Sequence, residues 1–315
     1  MIYVGEIAGL VTAALWAGTS LAFALASRRA GALAVNQART VMAIVMLALL
    51  HRVLLGSFWP TDLGGRQATW LALSGLVGLS LGDLFYFHSL AQVGPRLGSL
   101  LLSTWPVFCA LLAWPVLGEG LGAGAVAGIA VTLGGVLLVL ADRSRAARWV
   151  APAGGSRARG LVAGCLGAAG QAVGLVIAKL GMEPVSGLEA GMVRVDPLSA
   201  TLVRMVAGAA GIWLIAAAGG RLASGRRVIV DRRALAGTVV GALLGPTFGV
   251  WMSLVAAAHA PTGIAATLMA TTPIVTLPLA RLAYGSRPGG WAIAGTVLAA
   301  AGVALLFLLP AAPTI

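Results

Sequence analysis

Asp83 is the residue with the most chemistry open to it. It stands near the middle of an apolar stretch, Ala68–Leu90, thirteen residues after Trp70. At that depth in hydrocarbon an ionisable side chain costs roughly 2.5–3.5 kcal/mol on insertion scales unless water or a partner relieves it. Such a carboxylate can exchange a proton or receive a cationic group of a solute. The plainer alternative is a hydrogen bond to a neighbouring helix end, beside Pro106. Tyr86 and Phe87 follow three and four residues later and share its face. They offer a stacking surface for an aromatic or cationic ligand, or simple packing. His88 and Gln92 lie further toward the loop, where an interfacial histidine is expected rather than a relay. Trp16, Trp105 and Trp251 sit well inside apolar stretches, whereas Trp59, Trp70, Trp149 and Trp291 sit where an aromatic belt belongs. Trp105 adjoins Pro106 and is expected to line a cavity. Thr271 and Thr272 adjoin Pro273, and their hydroxyls either back-bond to their own helix or face the same space. With Gln171, the candidate substrate-binding set is Trp16, Asp83, Tyr86, Trp105, Gln171, Trp251, Thr271 and Thr272.

The two prolines lead to the elements that must hold these residues. Thr104-Trp105-Pro106 and Thr271-Thr272-Pro273 each interrupt a long apolar stretch, and they lie 167 positions apart. The same offset carries Gly118 onto Gly285, Gly128 onto Gly295 and Gly135 onto Gly302. A proline in a spanning helix removes an N–H and frees a carbonyl. Hydrocarbon cannot satisfy that carbonyl, so the break belongs in protein or beside a wet cavity. Matched breaks in two repeats point to the substrate site of a transporter. Ten apolar stretches approach the roughly 20 residues that a span requires, and they divide as residues 1–140, a linker at 141–159 and residues 160–315. Five helices is an odd number, so the second copy must enter the membrane the other way up. The expected fold is all-α and integral to the membrane, with ten transmembrane helices in two inverted five-helix repeats. Arg39 and Arg204 open the second helix of each copy, a repetition that favours a shared structural role or snorkelling over substrate binding. The position in the second copy that matches Asp83 is taken as Pro246. Glycine pairs four apart, such as Gly78/Gly82 and Gly170/Gly174, predict close helix contacts. The glycine-rich fifth and tenth helices leave self-association as a homodimer open.

Charged residues are 10% of the chain and apolar ones 59%, with a mean hydropathy of +0.98. Soluble domains carry about 25% charged residues, so the chain reads as a membrane protein in the bilayer. Twenty arginines and one lysine against nine acidic residues give a net charge of +12, and almost all of the basic residues lie in loops. This is the pattern of membrane orientation and excludes a nucleic-acid surface. With both termini outside, fifteen basic loop residues fall in the cytoplasm and four outside. The first stretch, Ile7–Ala26, lacks a basic leader and reads as a retained span. Cys109 and Cys165 are isolated small packing residues, with no metal-ligand neighbours. No nucleophile–base pair, metal triad or phosphate loop is visible, so neither an enzyme nor a cofactor or metal site is expected.

Several motifs together carry a resemblance. Leu15-Trp16-Ala17-Gly18-Thr19-Ser20 is followed by Arg39. The third helix reads Gly82-Asp83-Leu84-Phe85-Tyr86-Phe87-His88-Ser89-Leu90. The fourth runs from Thr104-Trp105-Pro106 to Leu117-Gly118-Glu119. Taken with the duplication, the chain resembles the EamA family of the drug/metabolite transporter superfamily over nearly its whole length. Two positions depart from the pattern, Ser286 where the repeat predicts glutamate and Gln171 where it predicts tryptophan. The resemblance implies a ten-helix bundle that moves small metabolites or drugs, possible substrates including amino acids, sugars, nucleotide precursors and toxic compounds. It gives Glu119 a helix-capping role. It also implies cytoplasmic termini, against the arginine count.

The expected function is secondary transport of a small organic solute, an amino-acid-like one among the candidates, by alternating access across the inner or plasma membrane. The partners are that solute and the lipid bilayer. Two rivals stay open. One is a non-transporting scaffold or sensor that keeps the fold, suggested by the departures in the second copy. The other is a flippase for a lipid-linked group.

Overall fold

The structure is a computed structural model that describes residues 3–61, 63–141, 156–183, 194–284 and 289–308. Most of the 141–159 linker, Gly285 and Ser286 lie outside the described residues. Among those described there is no strand. The helices are α1 (Val4–Ala30), α2 (Ala32–Leu55), α3 (Gly65–Ser74), α4 (Asp83–Leu102), α5 (Trp105–Leu117), α6 (Ala123–Ala141), α7 (Arg157–Met182) and α8 (Pro197–Ala218). They continue as α9 (Arg226–Val230), α10 (Arg232–Ala242), α11 (Val250–His259), α12 (Thr262–Met269), α13 (Thr272–Tyr284) and α14 (Gly290–Leu308). Among the described residues eight helical stretches are long and apolar enough to cross a membrane, and Trp105–Leu117 and Thr262–Thr276 are shorter apolar helices.

Wide π-turns join α3 to α4 over Gly75–Gly82 and α10 to α11 over Leu243–Gly249. The second contains Pro246, whose missing N–H a wider turn tolerates. α4 does not run straight. A Cβ at Gly98 would lie 3.3 Å from the Leu90 Cα, whereas eight residues of straight helix span about 12 Å. The chain therefore turns back between these two residues.

Both prolines break their helices as the sequence predicts. α4 ends at Leu102 and α5 begins at Trp105, while α12 ends at Met269 and α13 begins at Thr272. The two breaks share one hydrogen-bond pattern at the 167 offset. Thr104 N–H donates to Leu101 O and Thr271 N–H to Leu268 O, at 3.1 and 3.2 Å. The Thr104 and Thr271 hydroxyls reach the same two carbonyls at 2.6 and 2.7 Å. The 167 offset holds more widely, because α3, α5 and α6 begin where α10, α13 and α14 do once it is added. It also places α11, from Val250, on α4, from Asp83. The counterpart of Asp83 is therefore Val250, and Pro246, expected in that place, matches Leu79. The π-turn supplies the reason. It sets the register, and the Leu-Gly dipeptides before Asp83 and Pro246 occur four residues apart within it.

Glycines decide which helices touch. Across α6 and α14 a Cβ at Gly135 would fall 2.5 Å from Gly295 O, and one at Gly128 would fall 3.3 Å from Gly302 O. These contacts are reciprocal, since Gly295 matches Gly128 and Gly302 matches Gly135. The two helices run antiparallel, and the glycine faces that left self-association open are occupied by each other. The first helix of each half packs on the π-turn unit of the other. A Cβ at Gly249 would lie 2.7 Å from Trp16 Nε1, and one at Gly174 would lie 2.7 Å from Gly78 Cα. The Gly78/Gly82 and Gly170/Gly174 pairs thus meet face to face.

Polar contacts tie the helix ends together in two sets. At the end that carries the first and last described residues, Tyr3 stacks on Phe307 with ring centroids 5.2 Å apart. There Glu119 Oε1 lies 2.6 Å from Lys179 Nζ, which also donates to Ala260 O at 2.8 Å. Glu119 Oε2 accepts from Thr262 N–H at 2.6 Å and so caps α12 across the chain. At the end that faces the linker, Arg29 pairs with Asp231 at 3.0 Å and Gln37 donates to Arg221 O at 3.1 Å. The largest continuous core, including Leu71, Cys109, Met182, Leu254, Ile264 and Met269, runs from mid-bundle to the terminal end. The core at the linker end is smaller and joins α1 and α2 to α9 and α10 only.

Candidate functional site

A cavity of about 210 Å³ opens at mid-bundle above the large core. Each wall comes from a helix that the preceding features position. α1 contributes Trp16 and Thr19, and α2 contributes Arg39 and Thr40. The first π-turn unit contributes Leu79, Asp83 and Tyr86. Leu102 and Trp105 flank the first break. Gln171 comes from α7, Met205, Gly208 and Ile212 from α8, and Gly245, Pro246 and Val250 from the second π-turn unit.

The polar centre is built around Asp83. Its Oδ2 accepts from Arg39 Nη2 at 2.9 Å and its Oδ1 from Gln171 Nε2 at 2.8 Å. Both side chains of the ion pair are partly covered, at 16% and 19% exposure, so the pair keeps contact with the cavity. Arg39 is held from behind. Its Nε donates to Asn36 Oδ1 at 2.6 Å, and its guanidinium lies 5.4 Å over the Phe23 ring. Gln171 Nε2 also donates to Gly78 O at 3.1 Å, a carbonyl of the π-turn. One amide thus ties the carboxylate to the distorted backbone beside it. The Arg39–Asp83 pair is by itself neutral.

Aromatic rings cover the other wall. Trp16 and Trp105 lie with ring centroids 6.5 Å apart at a 50° tilt. Neither indole N–H donates to another described residue. Tyr86 turns its hydroxyl to Ser99 Oγ at 3.3 Å. The Thr19 and Thr40 hydroxyls are spent on carbonyls of their own helices.

Of the residues singled out in the sequence, the structure brings Trp16, Asp83, Tyr86, Trp105 and Gln171 together around this space. Trp251 lies away from it, stacked on Phe248 at 6.1 Å and packed against the Leu47–Met205 cluster. Thr271 and Thr272 turn their hydroxyls back onto Leu268 O and Met269 O. Arg204 is buried beside Gly75. Arg39, weighed for a structural role, stands in the cavity wall as the partner of Asp83. The signal for it was one buried acid facing one intramembrane arginine, but the pairing crosses 44 positions. Lys179, one of the four basic residues counted outside, is partly buried and pairs with the buried Glu119. Trp16 and Gln171 occupy matching places, each on the first helix of its half against the opposite π-turn unit.

Comparison with known proteins agrees with this architecture. The model of the EamA-like transporter family matches residues 3–141 and 158–308. A solved crystal structure superposes with a TM-score of 0.73 at 20% identity, covering 98% of this chain and 97% of its own, a likeness of fold. No curated protein matches the chain.

Proposed function

Because the chain belongs to the EamA-like transporter family, we propose that it is a secondary transporter that carries one small organic solute at a time through the mid-bundle cavity by alternating access. The observation that carries this reading is the cavity itself. It lies where the first helix break and the two π-turns converge, and its lining is mostly apolar with a few convergent polar groups, as in small-molecule sites. Trp16 and Trp105 receive the apolar body of the solute. Asp83, held by Arg39 and Gln171, is the group whose charge can change when the solute or a proton arrives.

The reading includes ten crossings in two inverted halves. Three observations support it. Element boundaries from α3 onward recur at an offset of 167, the contacts of antiparallel α6 and α14 are reciprocal, and among the described residues the long-range polar contacts between helix ends join ends that ten crossings place on one side. The large core fills the terminal end and the core at the linker end joins only α1, α2, α9 and α10, so the proposed route into the cavity is from the linker end. The arginine bias assigns the linker end to the cytoplasm, so this is the inward-facing state with both termini outside.

Purified protein in liposomes should exchange a labelled solute by counterflow, and Trp105→Ala should abolish the exchange while the protein stays folded. A folded protein that moves nothing across a broad metabolite and drug panel would leave the scaffold reading in place. A fluorescent and a phosphatase fusion at Ile315 should report an external C-terminus. A cytoplasmic one would overturn the orientation.

A further inference from the structure

Resting on the transport reading, we infer that the solute is an organic monocarboxylate and that Arg204 is the counter-ion for its carboxylate. Arg204 is 4% exposed, inside α8. Among the described residues it has no ion-pair or hydrogen-bond partner, and its Nε is sealed from solvent unpaired. A guanidinium in this position is a large cost unless an anion meets it.

The repeat shows what is missing. α2 and α8 begin 165 positions apart, which sets Arg204 in the place of Arg39. Arg39 has Asp83, whereas the matching position of the second half holds Val250. The second arginine therefore has no built-in acid. Its side chain runs along the first π-turn in the direction of Asp83, although Arg204 is not itself among the residues that line the cavity. The backbone of Arg204 packs on Gly75, while its Nη2 lies 3.6 Å from the Cβ position of Gly78, one turn nearer Asp83. Leu79, next to Gly78, lines the cavity, as do Met205 and Gly208 on the helix of Arg204. Asp83 is already neutralised by Arg39, so Arg204 leaves one net positive charge at this site. One charge fits a monoanion, and the planar fork of arginine fits a carboxylate. The apolar wall of Trp16, Trp105 and Ile212 then takes a hydrocarbon or aromatic body.

The test compares benzoate and hexanoate with benzamide and hexanamide, by calorimetry on purified wild-type, Arg204→Lys, Arg204→Gln and Val250→Asp proteins, and by counterflow in liposomes. In the wild type the carboxylates should bind at least about tenfold tighter than their amides. Arg204→Gln should erase that preference and Arg204→Lys keep part of it. Val250→Asp leaves Arg204 in place and supplies a competing internal carboxylate. It should weaken the carboxylates by about tenfold even where Arg204→Gln fails to fold. Equal binding of acids and amides, or a preference that survives in both Arg204→Gln and Val250→Asp, overturns the inference. So does saturable stabilisation by chloride with which no carboxylate competes, since Arg204 would then hold an inorganic ion. Counterflow of amides without any acid preference sinks the carboxylate and spares transport, whereas no counterflow of any solute sinks the transport reading as well.

Discussion

Asp83 keeps both carboxylate oxygens engaged, one by Arg39 and one by Gln171. Asp83→Asn retains the shape and leaves Arg39 without a counter-ion. Breaking a fully buried pair costs about 3–5 kcal/mol. This pair is partly open to the cavity, so a loss of about 1–3 kcal/mol is expected, read from thermal unfolding in detergent. Transport in that variant should lose its dependence on pH. Unchanged stability and an unchanged pH profile would make the pair ornamental to both folding and coupling. The depth of Asp83 in an apolar stretch made it legible from sequence, because a lone acid there demands an explanation. Its partner was not legible, since nothing local to Arg39 shows which helix it will face. Thr271 and Thr272 show the opposite limit. A threonine beside a proline break has its own freed carbonyl within reach, and the local bond wins.

At the scale of elements, the proline breaks, the glycine contacts and the offset of 167 were all readable, because each follows from backbone chemistry or from repetition. The π-turns were not readable. Gly75–Gly82 and Leu243–Gly249 carry no residue pattern that separates a wide turn from ordinary helix, and the register error at Pro246 came from that gap. The α6–α14 contact gives a sharp prediction. A Cβ at Gly135 would lie 2.3 Å from Ala299 N, whereas one at Gly134 would be 3.9 Å from the tip of Leu298. Gly135→Leu must push two backbones apart and should cost about 1–3 kcal/mol or more. Gly134→Leu should cost little, and its unfolding midpoint is the control. Equal midpoints for the two variants would mean that α6 and α14 are not packed in this register.

On the scale of the whole molecule, the two ends are sealed by different means. The terminal end has the large core and the partly buried Glu119–Lys179 pair, whose Glu119 joins the α5–α6 connection to α7 and α12. Opening that end must break this pair, and Cys109, fully buried in the same core, reports it. In a Cys165→Ser background a membrane-impermeant maleimide should leave Cys109 unmodified. Lys179→Ala should raise its labelling several-fold from the terminal side, and Lys179→Arg should not. Labelling that stays flat in Lys179→Ala would show that the pair does not hold the end shut. A different consequence follows from the exchange of first helices between the halves. α1 rests its Trp16 on Gly249, and residues from 232 onward build the unit it needs. At roughly 5–20 residues per second on the ribosome, α1 waits tens of seconds in the bilayer before its partner exists. During that interval its small-residue face must be kept from stray helices by lipid or by the insertion machinery. Two halves made as separate polypeptides should therefore each be degraded alone and recover one another when made together.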